Sequence, residues 1–131
     1  MSCLLIFIHL FFTSQLTLEV KEIKELKGTL RIAVYDSEAT HLDEETIAFY
    51  KEVPVTETGS MTIELDLPDG TYSIAIYHDL NNDKKLNTNL VGIPKEPYGF
   101  SNNVMGTFGP PSFEAARVMI PNSYSLSISL R

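Results

Sequence analysis

Residues 78 to 90 read HDLNNDKKLNTNL. Two aspartates and four asparagines sit among two lysines, directly after an alternating apolar stretch. Side-chain oxygens at this density suit a hard cation. Calcium takes roughly six to eight oxygen ligands, and a tightly wound loop supplies them from alternate residues. With Asp79 at the first position, Asn81 falls at the third, Asp83 at the fifth, Lys85 at the seventh and Asn87 at the ninth. The seventh position gives only its backbone carbonyl, so lysine is tolerated there. Three features depart from a helix-loop-helix site. Lys84 stands where the tight turn takes glycine, Leu90 stands where a bidentate glutamate belongs, and the loop holds only two carboxylates. Glu96 is a candidate for the missing ligand. The expected calcium affinity is therefore weak, on the order of 10⁻⁴–10⁻³ M. The same residues also read as a polar hairpin loop, because Asn and Asp tolerate left-handed backbone and bond their own main chain. Both readings stand on the sequence.

A second set of residues suggests binding. Tyr98 and Phe100, followed by Asn102 and Asn103, with Phe108 and Phe113 beyond, combine aromatic faces with amides. Such a set holds a sugar or a peptide, or else anchors a long loop by burying its rings. No complete catalytic set is present. His78 beside Asp79 could act as a base in a small hydrolase, yet its place on the apolar face of its strand suits a core histidine. His41 falls in an acidic loop and is expected at the surface. Ser112 lacks the Gly-x-Ser-x-Gly elbow of a nucleophile. The chain is read as non-enzymatic, with the small exported hydrolase using His78 and a nearby carboxylate as the alternative.

The elements that must position these residues are strands. GTLRIAVYD alternates, with Leu30, Ile32 and Val34 on one face and Arg31 and Tyr35 on the other. The stretch around Asp43–Glu45 reads as a solvated loop or one helical turn. Pro54 demotes its strand to an edge. Met61, Ile63, Leu65 and Leu67 give a clean period of two. LPDG then supplies a turn into TYSIAIYHD, so residues 61 to 78 are expected to form a hairpin. RVMI and SYSLSISLR read as two more strands, with Leu126, Ile128 and Leu130 inward. Between 90 and 117 the alternation is lost, and Ser112 could cap a short helical turn. About seven short strands without βαβ spacing predict an all-β fold, an antiparallel β-sandwich with one long irregular loop.

The totals set limits. A chain of 131 residues fits one domain. A net charge of −7 argues against nucleic acid and anionic membrane surfaces, and is compatible with cations. The single cysteine, Cys3, rules out an internal disulfide and a cysteine-based zinc site. Residues 1–14 resemble a signal peptide, and their apolar run is too short for a membrane span, which needs about 20 apolar residues. The mature chain is expected to begin near Gln15 and to lack a transmembrane span. Residues 15–27 mix strand-like alternation with helical drift, and their state stays open. Residues 28–131 are expected to form the single sandwich domain.

The stretch from Gly70 to Ala116 with the turn before it, LPDGTYSIAIYHDLNNDKKLNTNLVGIPKEPYGFSNN followed by FGPPSFEAA, resembles the bacterial family of domain of unknown function 2141. The resemblance implies a transthyretin- or prealbumin-like sandwich and an exported protein, secreted or periplasmic. It also implies a loop with glycine where Lys84 stands and aspartate where Asn87 stands. It names no activity. Hydroxyisourate hydrolases share such a sandwich, but their histidine and arginine set has no match here. The expected partners are a carbohydrate, a peptide or an envelope protein, and not nucleic acid.

Overall fold

The computed structural model describes residues 13–107, 109–121 and 125–131. Among them are eight strands in two facing sheets. β1 (Thr13–Ile23), β4 (Gly59–Pro68) and β8 (Ser125–Ser129) form the smaller sheet, in the order β4-β1-β8. β2 (Thr29–Tyr35), β3 (Phe49–Pro54), β5 (Gly70–Asp79) and β6 (Tyr98–Phe100) form the larger, in the order β3-β2-β5-β6. A short β7 (Val118–Ile120) pairs with the first residues of β5. All pairings are antiparallel except β1 with β8, which is parallel. No helix among the described residues is long and apolar enough to cross a membrane.

Period-two alternation built the core as expected. Leu16, Leu18 and Val20 of β1 and Ile63, Leu65 and Leu67 of β4 meet Leu30, Ile32, Val34, Ile74 and Ile76 of the larger sheet. Each such side chain contributes about 1.5–3 kcal/mol by leaving water. Pro54 does end an edge strand, and Lys51 of that strand donates to the Glu64 carbonyl of β4 at 3.0 Å, tying the two sheets along one side.

Two expectations about connectivity change. Residues 61 to 78 are not a hairpin. β4 pairs with β1, β5 pairs with β2, and the chain crosses from one sheet to the other at Asp69. The Tyr72 hydroxyl braces that corner by donating to the Pro68 carbonyl at 2.6 Å. Alternation reports which face is buried, not which strand lies alongside, so a crossover and a hairpin read alike. Residues 15–27 also resolve. Their first part is the middle strand of the smaller sheet, and the helical drift is a bulge. The register slips between Val20 and Ile23, with Glu22 at φ 64°, and this returns Ile23 to the core.

The irregular segment is anchored chiefly by small polar contacts. Ser101 is fully buried, accepts from the Ile74 amide at 3.0 Å and donates to the Ala116 carbonyl. Ser112 caps the short α1 (Phe113–Ala116) by accepting from the Ala115 amide. Phe100 and Phe113 are half-buried. Phe108, expected to be buried, lies outside the described residues. Gly99 faces inward, where a Cβ would lie 2.7 Å from the Ile128 side chain. That close approach lets Tyr98 exchange backbone hydrogen bonds with Arg131.

Candidate metal centre

β5 ends at Asp79, and the polar loop starts there. Asp79 is fully buried on the outward side of its strand, while His78 points into the sandwich. Gly28 lies against this junction. It adopts φ +73°, and a Cβ on it would sit 2.2 Å from the Asp79 carbonyl oxygen. Only glycine lets the two backbones come so close.

The loop is wound by its own side chains. Asn81 Oδ1 accepts from the Asp83 amide at 3.3 Å, and Asp83 Oδ1 from the Lys85 amide at 3.0 Å. Asp79 Oδ2 accepts from the Lys84 amide at 2.9 Å. Lys84 takes φ 64° and Asn82 φ 55°, the left-handed turn that the tight loop demands. Asn87 Nδ2 donates to Asp83 Oδ2 at 2.9 Å. That bond, then the Lys85 amide, holds the Asp83 carboxyl below the usual aspartate range.

Glu96 closes the loop from outside. A narrow turn, held by Asn89 to Ile93 and Lys95 to Asn87 backbone bonds, brings it back. Its Oε2 accepts from the Leu80 amide at 2.7 Å and its Oε1 from the Asn87 amide at 2.9 Å. One carboxylate thus staples both ends of the loop, and it is itself buried. Oxygens of Asp79, Asp83 and Glu96 come within 4.8 Å of one another.

Arg31 completes the arrangement. From the neighbouring strand its Nε donates to Asp79 Oδ2 at 2.6 Å, and its Nη1 to Glu52 at 2.6 Å and Tyr50 at 3.2 Å. Burial works against the guanidinium's charge, but the bonds to Tyr50 and Asp79 outweigh it and raise its pKa. Asp79, Asp83 and Glu96 thus gather three carboxyl groups, and the one guanidinium beside them is shared with Glu52. Asp79 Oδ1 is buried and has no hydrogen-bond partner among the described residues. A buried carboxylate oxygen without a partner is costly, and a cation supplies one. An all-oxygen donor set suits calcium or another hard cation.

The structure brings together Asp79, Asn81, Asp83 and Asn87, with Lys85 contributing its backbone to the winding. Arg31 was missed as a member, since a lone charge on the wet face of a strand gives no sign of burial. The other candidates separate. Tyr98 and Phe100 pack edge to face at 6.0 Å on the outer surface of the larger sheet. Asn102 donates to the carbonyls of Ala115 and Arg117, and Asn103 bonds the backbone of Ser127 and Ser129, so these amides staple chain segments. His78 is buried with Nε2 2.6 Å from the Lys27 carbonyl. His41 is not a free surface residue: it is half-buried and bridges the Ser73 hydroxyl at 2.8 Å and the Pro111 carbonyl at 2.9 Å.

Fold and loop together define an all-β sandwich with an acidic, oxygen-rich loop leaving a middle strand of its larger sheet. Residues 18–127 match the family model described as "Uncharacterized protein conserved in bacteria (DUF2141)", and the chain belongs to that family. Neither a curated protein nor a solved structure matches the chain significantly.

Proposed function

We propose that this chain is an exported, non-enzymatic binding module of the secreted or periplasmic space, and that residues 79–87, closed by Glu96, hold calcium or a similar hard cation. The observation that carries the cation reading is Asp79 Oδ1, buried without a partner among the described residues and beside Asp83 and Glu96. Asp79, Asp83 and Glu96 would supply carboxylate oxygens. Asn81 and Asn87 would turn their amide oxygens inward, and Lys85 would offer its carbonyl. Glu96 takes the part of the glutamate absent from position 90. The hydrolase alternative has less support, because His78 is buried and its Nε2 is engaged with a backbone carbonyl. A chain cut near Gln15 would keep Leu16 to Ile23 and so all the core residues of β1. N-terminal sequencing of the protein from its host tests export, and a retained Met1 would count against it.

The test of the cation is thermal unfolding with calcium and with chelator. Saturation at ten times the dissociation constant should add about 1.4 kcal/mol by mass action. Asp83→Ala is the cleaner variant, since Asp83 is exposed and its removal leaves Arg31 paired. A calcium-dependent rise that Asp83→Ala abolishes supports the site. No rise at millimolar calcium leaves the loop as a polar turn.

A further inference from the structure

The outer face of the larger sheet carries a cavity of about 1000 Å³ that the cation does not use. Strand register explains it. Ala33 has Tyr50 on one side and Ala75 on the other, and Ala75 has Phe100 beyond it. One row across four strands therefore reads Tyr50, Ala33, Ala75, Phe100. Two methyl groups form a floor between two rings, whose backbones stand about 14 Å apart at three strand spacings. The next row adds Arg31, Tyr77 and Tyr98. Tyr35 closes one end, and Leu86 and Ile93 of the segment after β5 wall another side.

The chemistry of the walls narrows the occupant. Arg31, the charge on the floor, is already engaged by Asp79 and Glu52. Glu44 and Lys84 at the rim are of opposite sign, and the net charge of −7 repels anions. A neutral ligand fits. Tyr35 and Tyr77 line the cavity, and their hydroxyls make no hydrogen bond to any described residue. An acyl chain would leave those hydroxyls dry and unpaired. A peptide strand relies on main-chain bonding. Both floor strands are paired on both sides at Ala33 and Ala75, so the floor offers a peptide no backbone groups. A sugar ring needs neither. Its C–H face stacks on aromatic rings, and its hydroxyls bond phenols.

We infer that this cavity is a binding site for a neutral oligosaccharide, seated on Ala33 and Ala75 between Tyr50 and Phe100. The site stands apart from the cation reading: binding to sugar and binding to calcium are measured separately, and either can fail alone. The experiment titrates the full chain with neutral hexasaccharides of glucose, mannose and N-acetylglucosamine, in calcium and in chelator, by calorimetry. A dodecyl-chain probe and an uncharged apolar peptide serve as controls. At least one hexasaccharide should bind at millimolar concentration or below. Ala75→Leu should abolish that binding by filling the floor, and Tyr77→Phe should weaken it about tenfold by removing one hydroxyl partner. Thermal melts show that each variant folds, and Tyr77→Phe, which removes one oxygen, decides the matter if Ala75→Leu does not. Absence of binding by every hexasaccharide overturns the inference. So does binding that survives Tyr77→Phe and Ala75→Leu unchanged, or binding of the dodecyl probe or the peptide alone.

Discussion

Arg31 and Asp79 lie on adjacent strands, 48 residues apart in sequence, and form an ion pair of 2.6 Å in which neither side chain is more than 4% exposed. The pair joins the acidic loop to the floor of the sheet. It gives the fully buried Asp79 side chain a cationic partner. Removing one partner of a buried pair strands the other charge, at about 3–5 kcal/mol. Arg31→Met should lower stability by that amount. Calcium should restore part of it, because the ion can take the guanidinium's place beside the carboxylate. Chemical unfolding of Arg31→Met, with and without calcium, checks this. A calcium increment no larger than in the parent would show that Asp79 is not a ligand.

Lys84 takes a left-handed conformation at the turn of the loop, and its amide bonds Asp79. A side chain there costs about 1–2 kcal/mol relative to a permissive backbone, partly offset by the entropy glycine loses on folding. Lys84→Gly also removes a positive charge near three carboxylates. It should bind calcium more tightly and melt no lower than the parent. Unchanged calcium affinity by calorimetry would point to Asn87 as the limiting ligand.

Gly28 allows the start of β2 to lie against the Asp79 carbonyl. Ala at that site meets both a left-handed backbone and a contact of 2.2 Å with main-chain oxygen. The backbone conformation alone costs about 1–2 kcal/mol, and the contact adds to it. Gly28→Ala should lower the melting temperature and weaken calcium binding together. Loss of stability with intact calcium affinity would mean that the junction does not position Asp79.

The buried faces were legible because strand alternation is local: Leu30, Ile32 and Val34 announce themselves within seven residues. Partnership is not local. The turn at Pro68 to Gly70 has the residues of a hairpin, yet each flanking strand finds its partner elsewhere in the chain. The bulge at Glu22 broke the period of β1 and so hid the end of that strand. The polar loop after β5 shows the same division. Asp79, Asn81, Asp83 and Asn87 were readable from spacing, whereas Glu96 could be named but not placed, and Arg31 gave no signal. The two-alanine floor was invisible, since Ala33 and Ala75 become neighbours only through register.

Tyr77 supplies a prediction at alkaline pH. Burial first, then the charge of Asp79, raises its pKa above the ordinary 10.0, and Arg31 opposes this in part. Tyr35, Tyr50 and Tyr72 are raised too, each mainly by burial. The sign follows from which state ionises first. Below pH 10 the phenols are neutral in both states, and the folded protein has its full stability. As pH rises past that value the unfolded chain ionises while the folded one does not, so stability falls until the folded groups titrate. Urea unfolding between about pH 8 and about pH 11 should show a plateau and then a steep decline, with tyrosinate absorbance lagging behind that of the unfolded chain. Tyr77→Phe should make the decline shallower, because phenylalanine keeps the ring and has no proton to lose. A decline of equal slope in that variant would assign the alkaline loss to the other three tyrosines.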